Sequence, residues 1–193
     1  MRKVISALGQ NGYFYPIIQT NRKNTGRMPT LSIHGWPAPV AALGNAAIID
    51  RRKTAFLCSR EYPAGAVLRI YDWAKAARER GECVISGFHS ALERDVLEIL
   101  LGGDQPIILA AARALPTRHS PGVRRALRDG QLLIASPFPA SVARITAATA
   151  RRRNEFMLSV AERIVVGYVQ PGGALAQVLG GVAAHKEVIR LAV

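Results

Sequence analysis

Short apolar runs alternate with amphipathic stretches along most of the chain, beginning near residue 31. Runs such as Cys83–Ser86 and Leu132–Ala135 consist mainly of apolar side chains, which is typical of strands buried on both faces of a sheet. Ala66–Arg80 instead repeats apolar residues at spacings of three and four, which predicts a helix that Gly81 ends. The alternation predicts βαβ units, in which a helix connects two parallel strands.

The same pattern predicts each element in turn. The predicted strands are Leu31–His34, Thr54–Cys58, Cys83–Ser86, Pro106–Ala110, Leu132–Ala135, Ile164–Val169 and Glu187–Leu191. The predicted helices are Ala38–Leu43, Ala66–Arg80, Ala91–Leu101, Val123–Arg128, Ser141–Arg163 and Ala174–Ala184. A break is expected in the fifth helix near residues 153–154. Together these elements predict an α/β fold, a Rossmann-like doubly wound sheet that is mainly parallel, with helices on both faces.

Residues 1–30 differ from the rest because they are polar, basic and rich in turn-forming residues. We expect a basic N-terminal extension here, with a strand near Val4–Ala7, followed by one Rossmann-like domain over residues 31–193. The opening residues resemble a signal peptide, but their apolar run is too short to be one. Ile164–Ala184 carries no charge, yet it contains Pro171-Gly172-Gly173, so a strand, a turn and a buried helix explain it better than a membrane span.

The charge balance is strongly basic. Lys and Arg number 26 against 13 acids in 193 residues, which gives a formal net charge of +13 and a pI of about 10.8. Arginines cluster at residues 51–52, 124–128 and 151–153. Such an excess attracts polyanions such as nucleic acid. The alternative is a basic soluble protein without such a partner, since charge alone specifies none.

The remaining reactive side chains indicate little chemistry. Two cysteines are too few for a disulfide scaffold and indicate buried free thiols in a reducing, cytoplasmic location. The four histidines lie far apart without the spacing of metal ligands, so we expect no metal and no cofactor. No nucleophile has an evident base beside it, so catalysis is not expected.

Small and polar residues follow several predicted strands. They are Ser59-Arg60, Ser86-Gly87 with His89 two residues on, Ser136-Pro137, and Pro171-Gly172-Gly173. Ligands of parallel sheets bind at this edge, where glycine admits a phosphate and arginine donates a bidentate pair of hydrogen bonds. We therefore expect Ser59, Arg60, Ser86, Gly87, His89, Gly172 and Gly173 to bind a phosphate or nucleic acid. The alternative is steric, because such turns often contain Gly and Ser.

Arg152, Arg153 and Asn154 form a second candidate group, at the expected break in the fifth helix. The arginines would bind a phosphate backbone, and Asn154 would cap a helix at whose N-terminus an anion is favoured. Two alternatives remain open: a solvated basic helix face, and a cap with a purely structural role.

These motifs resemble the Rossmann-like domain of the DNA-processing protein A family, recombination mediators of bacterial transformation. Ser59-Arg60 correspond to its Gly-Ser-Arg, with Cys58 replacing the glycine, and Ser86-Gly87 correspond to its Ser-Gly. The Arg153-Asn154 pair also matches, whereas His89 is shifted and Gly172-Gly173 stand near a Ser-Gly. The resemblance implies binding of single-stranded DNA, a homodimer, a recombinase partner and no membrane.

Pro171-Gly172-Gly173 also resembles the nucleoside-monophosphate phosphoribohydrolases, in which a catalytic Glu follows the glycines. Here the next glutamate is Glu187, too far along the chain for that role. The alternative function is therefore a nucleotide-sensing or phosphoribohydrolase-like Rossmann protein. A structural module whose ligand pocket has decayed is a third hypothesis, motivated by Cys58 in place of glycine.

Overall fold

A ten-stranded sheet is the centre of the computed structural model, which describes residues 6–8, 14–18, 30–182 and 186–192. The strands are β1 Ser6–Leu8, β2 Phe14–Ile18, β3 Thr30–Leu31, β4 Val40–Asn45, β5 Lys53–Leu57, β6 Cys83–Ser86, β7 Ile107–Ala110, β8 Leu132–Ser136, β9 Arg163–Val166 and β10 Glu187–Arg190. Strands β5 to β8 are the most deeply buried, because helices cover them on both sides.

Five α-helices connect the strands within the described residues. They are α1 Ala64–Glu79, α2 Ala91–Leu101, α3 Pro121–Arg128, α4 Ala147–Val160 and α5 Ala174–Leu179. A short 3-10 helix covers Ala46–Asp50. Local sequence explains several of the starts, since Ser90 and Thr146 cap α2 and α4 with capping boxes. Ser120 caps α3 in the same way through its side chain.

The order of the strands creates a switch point in the sheet. The order is β1-β2-β4-β8-β7-β6-β5-β9-β10, with β3 also paired to β4. The chain adds β6, β7 and β8 on one side of β5, then returns to place β9 on the other side. All pairs from β8 to β10 are parallel, and β4 and the strands beyond it are antiparallel. In open parallel sheets, ligands bind where the order reverses, which here is between β5 and β9.

Helices cover both faces of this sheet, each over its own apolar core. Helices α1, α2 and α3 pack on one face, with Ile70, Leu100 and Val123 among the buried contacts. Helices α4 and α5 cover the other face through residues such as Phe156 and Leu175. The Rossmann-like, doubly wound and mainly parallel architecture predicted from the sequence is therefore confirmed.

The segment predicted as the helix Ala38–Leu43 is instead the strand β4. Val40, Ala42 and Gly44 are buried, and the residues that follow each of them are partly exposed. This alternation has the two-residue period of a strand. Gly44 has a φ of +105°, and a Cβ there would lie 2.3 Å from the carbonyl oxygen of Leu132. The helix prediction was wrong because a short apolar run does not distinguish the period of a helix from that of a strand.

Helix α4 also differs from its prediction. It is unbroken through residues 153–154 and begins at Ala147, six residues later than expected. Its cap is Thr146, so the prediction that Asn154 caps a helix was wrong. The expected strand at residues 31–34 is reduced to a two-residue pairing that ends at Leu31.

Part of the predicted extension, residues 1–30, contributes to the sheet. Strand β1 pairs with β2, and β2 pairs antiparallel with β4. The expected strand near Val4–Ala7 overlaps β1, whereas β2 was not expected. The domain boundary at residue 30 stays a prediction.

Candidate anion-binding site

A pocket of about 380 Å³ opens beside the carboxyl ends of β5 and β9, at the switch point of the sheet. Six of the ten residues predicted as ligand-binding lie in its wall: Ser59, Arg60, His89, Arg153, Asn154 and Gly173. We call this the switch-point pocket. Loops after β5 and β6, helix α4 and the start of α5 together form it, so residues far apart in sequence meet at one place.

Arg153 is the most unusual side chain of the pocket. It lies in the second turn of α4 and is only 6% exposed. Within the described part of the chain, its Nε is buried without a hydrogen-bond partner, and it forms no ion pair. Burial lowers the pKa of the guanidinium, while the negative charge of Glu93 opposes this shift. Arginine stays protonated at neutral pH, so the pocket contains a buried positive charge that forms no hydrogen bond at Nε and no ion pair within the described residues, with Glu93 as the nearby negative charge.

Gly87 provides the space that this guanidinium occupies. A Cβ at position 87 would lie 1.2 Å from Nη1 of Arg153 and 2.1 Å from its Cζ. Any side chain here would therefore displace the guanidinium. The glycine predicted to approach a phosphate directly instead allows a buried arginine to approach the backbone at the end of β6.

The backbone turns sharply between Gly87 and His89. Phe88 has a φ of +45°, which non-glycine residues rarely adopt, and its ring is buried. This turn directs His89 into the pocket wall, where its side chain is largely exposed. Burial and the positive charges of Arg153 and Arg60 lower the pKa of His89. The imidazole is thus neutral at pH 7 and responds to an anion placed among these cations.

Ser59 and Arg60 form the rim after β5. The Ser59 hydroxyl accepts a hydrogen bond from the backbone N–H of Gln170 at 2.9 Å, which joins the loops after β5 and β9. Its backbone N–H donates to the carbonyl of Tyr168, also at 2.9 Å. Arg60 is exposed and makes no side-chain hydrogen bond within the described residues. Ser59 therefore holds the rim together, and Arg60 is free to contact a ligand.

The Pro-Gly-Gly segment is a tight turn. Gly172 has a φ of +69°, Pro171 precedes it, and the N–H of Gly173 donates to the carbonyl of Gln170 at 3.0 Å. These are the features of a type II turn. Because that N–H closes the turn, Gly173 shapes the pocket wall but has no backbone donor left for a phosphate. Gly172 is exposed beside the wall rather than part of it.

Two other predicted residues lie outside the pocket. Arg152 points away from it, and its guanidinium lies 5.3 Å from the ring centroid of Trp36, a cation–π contact. Ser86 is fully buried beneath the site, and its hydroxyl accepts a long hydrogen bond of 3.5 Å from the N–H of Phe88. Both positions support the surrounding structure, and their expected role in ligand binding stays a prediction.

Twelve of the eighteen residues in the wall were not among the predicted site residues, and Glu93 and Arg151 are two of the charged ones. Glu93 is 7% exposed, and its Oε2 accepts hydrogen bonds from the backbone N–H groups of His89 at 2.8 Å and Ser90 at 3.2 Å. The Ser90-x-x-Glu93 capping-box pattern was the available signal for it. Arg151 lies on the same face of α4 as Asn154, three residues on, and an unbroken helix would have predicted this.

Cys58 lies buried in the pocket floor. Burial raises the pKa of its thiol to about 11, although a hydrogen bond with the Tyr168 backbone opposes the shift. The thiol is therefore protonated and weakly nucleophilic at neutral pH. Within the described residues, no group of three metal-ligating side chains comes together, and no helix is both long and apolar enough to cross a membrane.

Comparisons with known proteins place this fold among solved structures. No family model and no curated protein matches the sequence. DNA processing protein A from Helicobacter pylori, whose structure was solved for its single-stranded DNA binding mode, matches with a TM-score of 0.68 and 13% identity, over 84% of this chain and 79% of its own. DNA processing protein A from Streptococcus pneumoniae matches with a TM-score of 0.70 and 12% identity, over 86% of this chain.

These matches confirm, at the level of the fold, the resemblance to the DNA-processing protein A family. The chain spans 63% of the length of the Streptococcus pneumoniae structure. At such low identity the likeness establishes the shared architecture alone.

Proposed function

We propose that the switch-point pocket binds a phosphate group of single-stranded DNA, and that the protein acts in DNA uptake or recombination. The observation that carries this proposal is the guanidinium of Arg153, buried against Gly87 without a partner in the described residues. A buried charge that forms no ion pair is unfavourable in the free protein, and Glu93 offsets the charge of Arg153 only in part because its Oε2 accepts two backbone hydrogen bonds. A bound phosphate supplies a direct ion-pair partner and accepts two parallel hydrogen bonds from the guanidinium.

The surroundings of Arg153 favour an anion over a neutral ligand. Arg60 and His89 face the same pocket, and Arg153 and Arg60 both lie close enough to His89 for their positive charges to depress its pKa, after the larger effect of burial. The wall contains three arginines against the two carboxylates of Glu61 and Glu93, and Oε2 of Glu93 already accepts two backbone hydrogen bonds. The cations therefore exceed the carboxylates that would otherwise neutralise them.

Three observations support single-stranded DNA as the source of the phosphate. The motifs resemble those of DNA-processing protein A, a structure of that protein from Helicobacter pylori was solved for its single-stranded DNA binding mode, and the net charge is +13. Homodimer formation, a recombinase partner and a cytoplasmic location belong to the same proposal. They come from the resemblance and from the two reduced thiols.

The test is a binding titration with a fluorescently labelled oligothymidylate. Gly87→Ala should weaken binding at least tenfold, because the new Cβ displaces the guanidinium without changing the net charge. Gly65→Ala is the matched control, since a Cβ there meets nothing within 4 Å. If Gly87→Ala binds like the wild type while its melting temperature is unchanged, the pocket is not the DNA site.

A mononucleotide is the second candidate ligand, favoured by the size of the pocket. Its volume of about 380 Å³ suits one nucleotide, and Glu61 closes one side through a hydrogen bond of 3.2 Å from the Gln170 side chain. Nucleoside monophosphates should then raise the melting temperature more than oligothymidylate at equal phosphate concentration. Release of free base would identify a hydrolase, whereas stabilisation without turnover would identify a sensor.

A further inference from the structure

A second cationic region lies at the opposite edge of the sheet, where β5, β6 and β9 begin. It is a cleft of about 440 Å³ whose wall contains Arg51, Arg52, Arg80 and Arg163, with Glu82 as its single acid. We call it the arginine cleft. Helix α1 starts near the switch-point pocket and ends at the cleft, and its 16 residues span about 24 Å. The two regions are therefore separate sites on one molecule.

Glu82 positions two of the four arginines. Its Oε1 accepts a hydrogen bond from Nε of Arg80 at 3.0 Å and from Nη1 of Arg163 at 3.4 Å. Nε of Arg163 also donates to Glu187 at 2.9 Å. Each guanidinium carries five N–H donors, so both retain donors that no carboxylate uses. Glu82, which is partly buried, thus orients both cations, and Glu187 pairs with one of them.

Arg51 and Arg52 are exposed, and neither side chain forms a hydrogen bond or an ion pair in the part of the chain described. Their backbone is nevertheless held in place, because the Lys53 Nζ donates to the carbonyl of Arg51 at 2.7 Å and to that of Ile49 at 3.1 Å. Lys53 is itself buried and paired with Glu162 at 3.2 Å. The two arginines therefore project from a fixed segment.

Helix electrostatics explain only part of this cluster. Arg80 follows the last residue of α1, where a positive charge stabilises the helix C-terminus. Arg51 and Arg52 follow only a five-residue 3-10 helix, so stabilisation of a helix C-terminus is a weak explanation for these two positive charges. The wall has four arginines and one glutamate, and Glu187 outside the wall pairs with Arg163, so an excess of two positive charges remains that nothing in the described fold requires.

We propose that the arginine cleft binds the phosphodiester backbone of a nucleic acid, as a second site distinct from the switch-point pocket. The arginines are spread over the starts of three adjacent strands, which lie about 4.8 Å apart, rather than gathered around one point. Large hydrophobic side chains are absent from the described wall, although protein interfaces normally contain apolar anchors. An evenly charged phosphate chain fits such a surface better than a folded protein partner.

The test is chemical-shift mapping of backbone amides on the whole chain, with an oligothymidylate long enough to occupy both regions. The proposal predicts shifts at Arg52, Glu82 and Arg163 in addition to those at Gly87 and His89. Arg51→Ala/Arg52→Ala should remove the shifts in the cleft. It should also lower the slope of log affinity against log salt concentration by about 1.4, the value for two fewer phosphate contacts on a single strand. Arg124→Ala/Arg128→Ala, which removes the same charge from exposed positions of α3, should leave the cleft shifts in place.

The outcomes separate this proposal from the proposed function of the pocket. Shifts in the pocket alone would overturn the second site and leave the first standing. Shifts in the cleft alone would support the second site and contradict the first. If polyglutamate of equal charge shifts the cleft amides at the same concentration, or if no cleft amide shifts with DNA, the cleft is not a nucleic-acid site.

Discussion

The two cationic regions of this protein are built in opposite ways. In the switch-point pocket, one arginine is buried against a glycine, and its guanidinium forms no ion pair in the described residues, although the charge of Glu93 acts on it. In the arginine cleft, the cations lie at the surface, and one carboxylate orients two of them. A buried charge gains much from a single well-placed phosphate, whereas exposed charges act additively and are screened by salt. The comparison indicates that phosphate affinity in the switch-point pocket depends on the position of one guanidinium, whereas in the arginine cleft it depends on the number of positive charges.

The largest expected effect concerns Arg153. Arg153→Met should weaken oligothymidylate binding by about 100-fold, because two charge-assisted hydrogen bonds are lost. The same change should raise the free energy of unfolding by about 1–3 kcal/mol, since it replaces a buried charge that forms no ion pair with an apolar side chain. Arg52→Met, in the cleft, should change stability by less than about 0.5 kcal/mol. Denaturant unfolding measures the stability of each variant, and binding titrations measure its affinity. If Arg153→Met is less stable than the wild type, the positive charge of Arg153 is already compensated in the free protein.

Removing the bond between the two rim loops should have the next largest effect. Ser59→Ala leaves the N–H of Gln170 without its acceptor and should cost about 1–2 kcal/mol of stability. Ser141→Ala is the control, since Ser141 is exposed and its side chain makes no hydrogen bond in the described residues. Equal melting temperatures for the two variants would mean that Ser59 does not hold the rim.

The regions should also differ in their response to pH. The pKa of His89 is lowered in the free protein by burial and by Arg153 and Arg60, and a bound phosphate raises it again. At pH values between the pKa of His89 in the free protein and that in the complex, ligand binding is coupled to the uptake of a proton by His89. The affinity should therefore increase about three- to tenfold as the pH falls from 7.5 to 6.

His89→Gln should abolish that dependence. His119→Gln should preserve it, because His119 also has a lowered pKa but does not line the pocket. Measuring the pH dependence of binding in the Arg51→Ala/Arg52→Ala variant removes the contribution of the cleft and leaves that of the pocket. A pH dependence that survives in His89→Gln would assign it to another group.

The last prediction concerns the thiols, one in each region, whose reactivity does not involve the ligand. Burial raises the pKa of Cys58 to about 11 and that of Cys83 to about 12. Both should react with iodoacetamide at pH 8 roughly 100-fold more slowly than free cysteine. Quantitative mass spectrometry measures this, and rapid modification of Cys58 would indicate that the pocket floor opens to solvent.

The sequence predicted the parallel core well because that part depends on local pattern. Ala91–Leu101 and Cys83–Ser86 were predicted with the bounds that the structure has, since their apolar periodicity and caps lie within a few residues. The strand β4 was predicted as a helix because its identity depends on pairing with β8, about 90 residues later in the chain. Strand β2 was missed for the same reason, as its partner is β4.

The site was predicted in part. That Ser59, Arg60 and His89 lie around one pocket follows from the rule that parallel strands end at the same edge. The roles within the site did not follow from that rule. The glycine at position 87 makes room for an arginine, and the N–H of Gly173 closes a turn, because both depend on distances that only the folded chain defines.

Nuclear magnetic resonance of the Arg153 guanidinium tests the central claim most directly. The Nε–H of Arg153 is buried without a partner in the described residues. On addition of oligothymidylate, or of thymidine monophosphate, its resonance should move downfield as a phosphate oxygen accepts a hydrogen bond in the pocket. A resonance that stays unchanged while the oligonucleotide binds would contradict the account, because the ligand would then be held elsewhere on the protein.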